Sequence, residues 1–328
     1  MANESFTHER ITQLDYMKAL AVLLVVFTHG NFTAADRQHP FFVLIVNMAM
    51  PIFMLIYGYV RMCATPKPMK TALSAFGKTL YGVLVPSVII FLLETVCVWW
   101  FGGAVLPPHY FETVIRDGGG LGPGSYYIAV LLQLTLIYPL MAWCFRRHTA
   151  LTAIGVWTVT LVFELLTRQF VSAEIYRIIC VRYLPYVVGG MLIAKYRSSM
   201  SKWKWYVIGG IPISLVWVYS IVYRAWQPPL FYLWATTNPP MIFWATGLFL
   251  AGLHLPSCSG IGGRVLSAIG TSSYYIFLVQ MVWYGVPLIP QALPLWGAVG
   301  LSLVICVGIG VAFRYVERAA FKRVFCIR

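Results

Sequence analysis

Long apolar segments recur along almost the whole chain, and this pattern leaves few possible folds. Of the 328 residues, 60% are hydrophobic and only 10% are charged, whereas about 25% of the residues of a soluble domain carry charge. A membrane-spanning helix needs roughly 20 mostly apolar residues. We count ten such segments, at residues 14–33, 41–62, 79–101, 125–145, 150–170, 175–196, 203–223, 238–255, 267–288 and 293–315. The sequence therefore predicts an all-α, polytopic membrane protein with about ten transmembrane helices.

The basic residues predict the orientation of these helices. Ten spans place both termini on one side, and that side holds eighteen of the 24 lysines and arginines, against five on the other side. Cytoplasmic loops carry such an excess, so both termini are predicted to be cytoplasmic and the protein to cross the membrane several times. The net charge of +14 follows from these loops. No basic cluster is interleaved with aromatic residues, which excludes a nucleic-acid partner.

No second domain or repeat interrupts the apolar pattern, so residues 1–328 are predicted to form a single integral membrane domain. No small-residue cleavage site follows the first apolar segment, which is therefore expected to remain as an anchor. The seven cysteines are scattered without a CxxC pair, a distribution typical of packing residues and not of a metal site or a disulfide framework. The longest loop, at about residues 102–124, is rich in glycine and predicts a flexible rim over an outward-opening cavity.

The first apolar segment carries two polar residues, Lys18 and His29, eleven positions apart. Eleven helical steps of about 100° make close to three turns, so both side chains share one face, roughly 16 Å apart along the axis. Lys18 lies near the cytoplasmic boundary and is either a snorkelling anchor or a grip on an anionic cytosolic donor. His29 lies at the outer end and is either a histidine satisfied at the interface or a general base, the usual role of neutral histidine near pH 7.

Three charged residues lie well inside predicted spans: Glu94, Glu164 and Arg182. The topology places all three in the outer half of the membrane, at the level of His29. Buried charges cost several kcal/mol unless they are paired or face a wet cavity, so these four groups predict one polar cavity that opens outward. The structural alternatives are an ion pair between Glu164 and Arg182 and a helix–helix hydrogen bond for Glu94.

Four segments, taken in order, resemble a known family. Residues 10–30 (RITQLDYMKALAVLLVVFTHG), 51–59 (PIFMLIYGY), 122–140 (GPGSYYIAVLLQLTLIYPL) and 270–280 (GTSSYYIFLVQ) are similar to the signature stretches of the acyltransferase-3 family of integral membrane O-acyltransferases. The order and spacing of the four stretches carry the resemblance, which extends over essentially the whole chain. It implies a single integral membrane acyltransferase-like domain, in a multi-pass protein of the cell (inner) membrane.

The chain departs from the family pattern at several positions. Lys18 stands where the family has arginine, which removes the bidentate fork for phosphate. Tyr57 and Gln280 replace a serine and a histidine of the pattern. In residues 76–86 (FGKTLYGVLVP) only Lys78 remains where the family often has paired arginines. His29, the family's catalytic histidine, is retained.

The resemblance implies transfer of an acyl group, usually acetyl, from cytosolic acyl-CoA to a hydroxyl of an extracytoplasmic glycan or lipid-linked saccharide, as in polysaccharide modification of the cell envelope. Acyl-CoA would be a co-substrate, and neither a tightly bound cofactor nor a metal is expected. His29 would be the catalytic base, and Lys18 and Lys78 would bind the donor. The residues expected to line or support the acceptor cavity are Glu94, Ser125, Tyr126, Glu164, Arg182, Ser273, Tyr274 and Gln280.

Two alternatives remain open at this point, since a fold does not determine a function. The chain could be a transporter or a non-catalytic small-molecule-binding membrane protein on the same scaffold, an alternative favoured by the missing donor arginines. It could also be an accessory subunit with a degenerate site. The retained His29, with a cation eleven residues earlier, favours the enzyme.

Overall fold

The computed structural model of the protein describes residues 11–64, 69–101, 106–116, 120, 122–170, 173–231, 233, 235–286, 288 and 293–325. These residues contain helices and turns but no strand, which confirms the all-α prediction for the described part of the chain. The helices are α1 Thr12–Thr28, α2 Ala34–Gln38, α3 Pro40–Leu44, α4 Ala49–Cys63, α5 Met69–Phe101, α6 Tyr110–Arg116, α7 Tyr126–Arg147, α8 Thr149–Phe170, α9 Ala173–Ile178, α10 Leu184–Lys195, α11 Met200–Val218, α12 Ile242–Leu253, α13 Ile261–Thr271, α14 Ser273–Gly285 and α15 Leu295–Phe325.

Within the described residues, six helical segments are long and apolar enough to cross a membrane, and α13 with α14 makes a seventh if that pair, bent by 67°, is one span. The chain is thus a polytopic membrane protein, while ten spans and the side of the termini stay predictions. The remaining predicted spans correspond to shorter helices. The 17 residues of α1 occupy the first, and residues 175–196 divide into α9, a 3-10 turn at Cys180–Tyr183 and α10.

α1 lies at the centre of the helix assembly, where it packs against α4, α12, α13, α14 and α15. Ten of its residues are buried, including Asp15. Next to it, α4 and α10 approach very closely because glycines face each other's backbone. A Cβ atom on Gly58 would lie 1.9 Å from the Val187 carbonyl oxygen, and one on Gly190 would lie 2.1 Å from the Leu55 carbonyl oxygen. Small residues of this kind let membrane helices pack backbone to backbone.

Contacts between helix ends gather the basic residues at one end of the molecule. Arg146 donates to the Ala64 carbonyl at 3.4 Å, Lys195 donates to the Thr149 hydroxyl, and the Tyr16 hydroxyl donates to the Cys258 carbonyl at 3.1 Å. The start of α1 therefore lies with the ends of α4, α7, α10 and α12. We call this end the basic face, defined by Lys18, Arg61, Arg146, Arg147, Lys195, Arg197, Lys204 and Arg264.

Candidate functional site

His29 lies at the opposite end of α1 from the basic face. It follows the last helical residue with φ −91° and ψ 1°, so it caps the helix. Its half-buried imidazole ring packs against the ring of Tyr284 on α14, with 5.9 Å between the centroids. The Tyr284 hydroxyl donates to the Val26 carbonyl at 3.0 Å. The last turn of α14 is thereby fastened to the last turn of α1, beside the His29 ring.

Glu94 approaches the same turn of α14 from α5. The side chain is fully buried, and its Oε1 accepts a hydrogen bond of 2.9 Å from the backbone N–H of Gly122. A Cβ atom on Gly285 would lie 2.7 Å from that oxygen. Because Gly285 directly follows Tyr284, Glu94 and His29 both contact the C-terminal turn of α14. The structure therefore brings these two predicted site residues to one level.

The glycine-rich segment between α6 and α7 is held on α14 where the structure describes it. The Gln280 amide donates to the Pro123 carbonyl at 2.8 Å, next to the bond from Gly122 to Glu94. Gly124 has φ +88°, a conformation that glycine adopts without strain. A Cβ on Gly122 would lie 2.1 Å from the Met281 carbonyl oxygen. Residues 122–124 thus form a turn clasped by Glu94 and Gln280. Residues 102–105, 117–119 and 121 of the predicted flexible rim lie outside the described residues, so the rim stays a prediction.

Glu164 belongs to a second buried polar cluster. Its Oε1 accepts a hydrogen bond of 2.7 Å from the Tyr176 hydroxyl, and its Oε2 accepts one of 3.1 Å from the backbone N–H of Phe231. The Tyr176 hydroxyl also lies 3.2 Å from Asn238 Oδ1, and the Asn238 amide donates to the Phe231 carbonyl at 3.2 Å. These bonds join α8 and α9 to the segment before α12.

Arg182, in the 3-10 turn before α10, also contacts Tyr176. Its guanidinium carbon lies 5.3 Å from the centre of the Tyr176 ring and 6.0 Å from that of Tyr126, and the guanidinium donates to the Tyr183 hydroxyl. Tyr176 thus joins Glu164 to Arg182. Tyr126 links this cluster to the clasped turn, since the buried Ser125 beside it comes directly after Gly124.

Ser273 and Tyr274 lie at the other end of α14 from His29. The Tyr274 hydroxyl pairs with the Ser87 hydroxyl at 2.7 Å and donates to the Val83 carbonyl at 3.0 Å. Six residues separate Tyr274 from Gln280, or about 9 Å along a helix. Ser273 and Tyr274 therefore lie away from Glu94 and Gln280, and their place in an acceptor cavity stays a prediction.

The predicted donor residues have different surroundings. The Lys18 ammonium forms an ion pair of 2.6 Å with the buried carboxylate of Asp15, three residues earlier on α1. The backbone of Asp15 is in turn so close to α13 that a Cβ on Gly270 would lie 1.9 Å from its carbonyl oxygen. Lys78 is exposed on α5. The cation that replaces the family's arginine is thus already neutralised by a neighbour.

The short helix α2 places a second cation near His29. The hydroxyl and backbone N–H of Thr33 donate to the Asp36 carboxylate at 2.7 and 2.9 Å, a reciprocal cap that lowers the pKa of Asp36 below its ordinary value. Arg37 follows and donates to the Gly30 carbonyl at 3.4 Å. The guanidinium of Arg37 therefore lies against the backbone of Gly30, the residue that follows His29.

Sequence reasoning missed four residues that the structure places in these clusters, namely Asp15, Tyr176, Asn238 and Tyr284. Two of them had a local signal, because Asp15 precedes Lys18 by three positions and Tyr284 follows Gln280 by four, which puts each pair on one helical face. Tyr176 and Asn238 had none, since their contacts join segments 62 residues apart. Among the described residues, no group of three or more His, Cys, Asp or Glu side chains could hold a metal ion.

Comparison with known families gives one result. The model of the acyltransferase-3 family, described as an acyltransferase domain, matches residues 11–315. This range includes both clusters and α1. No curated protein and no solved structure matches the chain.

Proposed function

Because the chain belongs to the acyltransferase-3 family and is therefore a membrane acyltransferase, we propose that it is an O-acyltransferase of the inner membrane. It moves an acyl group, acetyl in the simplest case, from cytosolic acyl-CoA to a hydroxyl of an extracytoplasmic glycan or lipid-linked saccharide. The family match supports the general activity. The choice of donor, acceptor and catalytic residue rests on the residues around α1 and α14.

His29 is the general base in this proposal. The observation that supports it is the position of its ring, partly exposed at the end of α1 and packed against Tyr284. A neutral imidazole there accepts the proton of the acceptor hydroxyl as the oxygen attacks the thioester carbonyl. The carbon–sulfur bond then breaks, and the CoA thiolate leaves and takes up a proton. The transfer is thereby balanced without a further reagent.

The clasped turn shapes the acceptor side in this proposal. Glu94 holds the Gly122 amide and Gln280 holds the Pro123 carbonyl, so the backbone beside the last turn of α14 is fixed before any substrate arrives. Positioning of this kind reduces the entropy lost in reaching the reactive geometry. Glu164, Arg182 and Tyr176 support the same region through Tyr126 and Ser125.

Lys18 and Lys78 remain the residues proposed to bind the acyl-CoA donor, but Lys18 already has an ion-pair partner. The Asp15 carboxylate already contacts the Lys18 ammonium at 2.6 Å, so a donor phosphate must share that lysine or displace the carboxylate. An ammonium has three N–H donors, which makes sharing chemically reasonable. Donor affinity would then depend on Asp15 as well as on Lys18.

The test is acyl transfer by the purified protein in vesicles, with radiolabelled acetyl-CoA and cell-envelope saccharide. His29→Gln should abolish transfer because it removes the base, while His148→Gln, an exposed histidine at the end of α7, should leave it unchanged. Full transfer by a folded His29→Gln protein would contradict the proposed mechanism. Saccharide flux across the vesicles, without acyl-CoA binding, would favour the transporter alternative.

A further inference from the structure

A groove of about 560 Å³ runs between α11 and α12, away from the clusters described above. Its walls are almost entirely apolar, with Val207, Ile208 and Ile211 from α11 and Trp244, Leu248 and Ala251 from α12. Two polar residues complete the lining, Lys204 at the start of α11 and His254 just after α12. Both lie at the basic face, so the groove has one cationic end and an apolar remainder.

The length of the groove corresponds to one leaflet of a bilayer. Ten residues separate Trp244 from His254, or about 15 Å of helix, which is half of the roughly 30 Å hydrocarbon thickness. At the apolar end, the Trp244 indole N–H donates to the Leu44 carbonyl at 2.6 Å. The indole N–H of Trp244 is therefore already hydrogen-bonded, and this end of the groove presents apolar side-chain surface suited to an acyl chain.

Aromatic residues mark the depth of the cationic end. Trp205 and Tyr206, at the start of α11, are 66% and 69% exposed, as in the aromatic belts found at membrane interfaces. The Lys204 ammonium lies 5.4 Å from the centre of the Trp205 ring. Lys204 and His254 are thus placed at headgroup level, on the face of the protein that carries the excess of cations.

We propose that this groove binds one anionic glycerophospholipid, with an acyl chain along α11 and α12 and the phosphate headgroup at Lys204 and His254. The charge complementarity at one end and the leaflet-length apolar remainder identify the lipid class. The site lies away from the contact between α1 and α14 where acyl transfer is proposed. Lipid binding there can therefore be tested without reference to that activity.

Native mass spectrometry of the purified protein tests the proposal, after equilibration with micelles containing equal amounts of phosphatidylglycerol and phosphatidylcholine. The wild type should retain phosphatidylglycerol preferentially. Lys204→Ala should reduce that retention roughly fivefold, the effect of one lysine charge at the surface of an anionic membrane, and leave phosphatidylcholine unchanged. The matched control is Arg264→Ala, which removes an exposed cation of the basic face outside the groove and should change neither lipid.

A second variant tests the groove itself. Ala251 is an exposed lining residue, so Ala251→Trp should fill the groove without disturbing the core and reduce retention of both lipids. Equal retention of the two lipids by the wild type, or no effect of Lys204→Ala, would overturn the headgroup assignment. Two results would overturn the groove assignment. One is unchanged lipid retention by a folded Ala251→Trp protein. The other is a wild type that binds no lipid and forms a dimer, if Ala251→Trp dissociates that dimer.

Discussion

At the scale of single residues, the ring of His29 packs against a tyrosine far along the chain. Tyr284 contacts the imidazole ring with its own ring and fastens itself to α1 through the Val26 carbonyl, 258 residues earlier. A histidine at the end of a helix has few neighbours within its own helix to orient it. In this protein, Tyr284 of α14 provides a ring contact for His29.

Tyr284→Phe tests this arrangement, because it keeps the ring and removes the bond to Val26. Loss of one such bond costs about 1 kcal/mol, so we expect a modest fall in thermal stability together with a several-fold fall in kcat at unchanged KM for acyl-CoA. Thermal unfolding and acyl-transfer kinetics measure both. Tyr315→Phe, at an exposed position on α15, is the control. Unchanged kcat with lower stability would assign Tyr284 a structural role only.

Asp15→Asn tests whether Lys18 binds the donor. The substitution removes the carboxylate that neutralises the ammonium at 2.6 Å, so a lysine that grips phosphate should then bind acyl-CoA more tightly. We expect a several-fold lower KM for acyl-CoA, stronger at low ionic strength, and loss of this gain in the double variant with Lys18→Met. An unchanged KM in Asp15→Asn and in Lys18→Met would show that the pair only stabilises α1.

The residues with local signals were predictable and those with distant partners were not. His29, Glu94 and Arg182 stand out because polar residues are rare in apolar spans. The role of Gln280 as a clasp on Pro123 was not visible, since its bond crosses 157 residues. No pattern within one helix specifies which carbonyl of a distant turn a side chain will meet.

At the scale of elements, the contact between α4 and α10 depends on two glycines. Gly58 and Gly190 each face a backbone carbonyl at a distance that no Cβ atom can occupy. The helices cannot separate locally without losing packing along both of them. The 3-10 turn that carries Arg182 leads directly into α10 and packs against α7 and α8.

Gly58→Ala should therefore destabilise the protein. The added methyl would lie 1.9 Å from the Val187 carbonyl oxygen, and overpacking of this kind costs about 1–3 kcal/mol. The matched control is Gly155→Ala on α8, where a Cβ would meet no atom within 4 Å, and which should be neutral or stabilising because alanine favours helix. Thermal unfolding in detergent compares the two, and equal stabilities would contradict the close α4–α10 contact.

The ninth predicted span illustrates the limit of hydropathy at this scale. Residues 267–288 read as one apolar segment, yet the structure bends by 67° between α13 and α14. Thr271 and Ser272 interrupt the segment, and Arg314 of α15 donates to the Thr271 hydroxyl at 2.7 Å. Gly270, directly before the bend, packs so closely on α1 that a Cβ there would lie 1.9 Å from the Asp15 carbonyl oxygen. Hydropathy alone does not reveal these contacts.

At the scale of the whole molecule, the basic face predicts the orientation in the membrane. Because cations concentrate on the cytoplasmic side, a reporter fused after Arg328 should be cytoplasmic. An alkaline phosphatase fusion is expected to be inactive and a fluorescent protein fusion to be bright. The control is the same pair of reporters inserted after Asn31, on the opposite side in the predicted topology. Active phosphatase at the C-terminus would contradict ten spans with cytoplasmic termini.

The sequence by itself determined that the chain is a helical membrane protein of the acyltransferase-3 family, because apolar composition and short motifs are local properties. It also identified His29, Lys18 and the buried charges. The pairing of Asp15 with Lys18 lies within one turn of α1 and had a local signal. Only the tertiary structure decided the other contacts, namely Tyr284 beside His29 and the turn clasped by Glu94 and Gln280. Most of these contacts depend on how α14 is placed against α1 and α5, which results from the packing of the whole assembly and from no single segment.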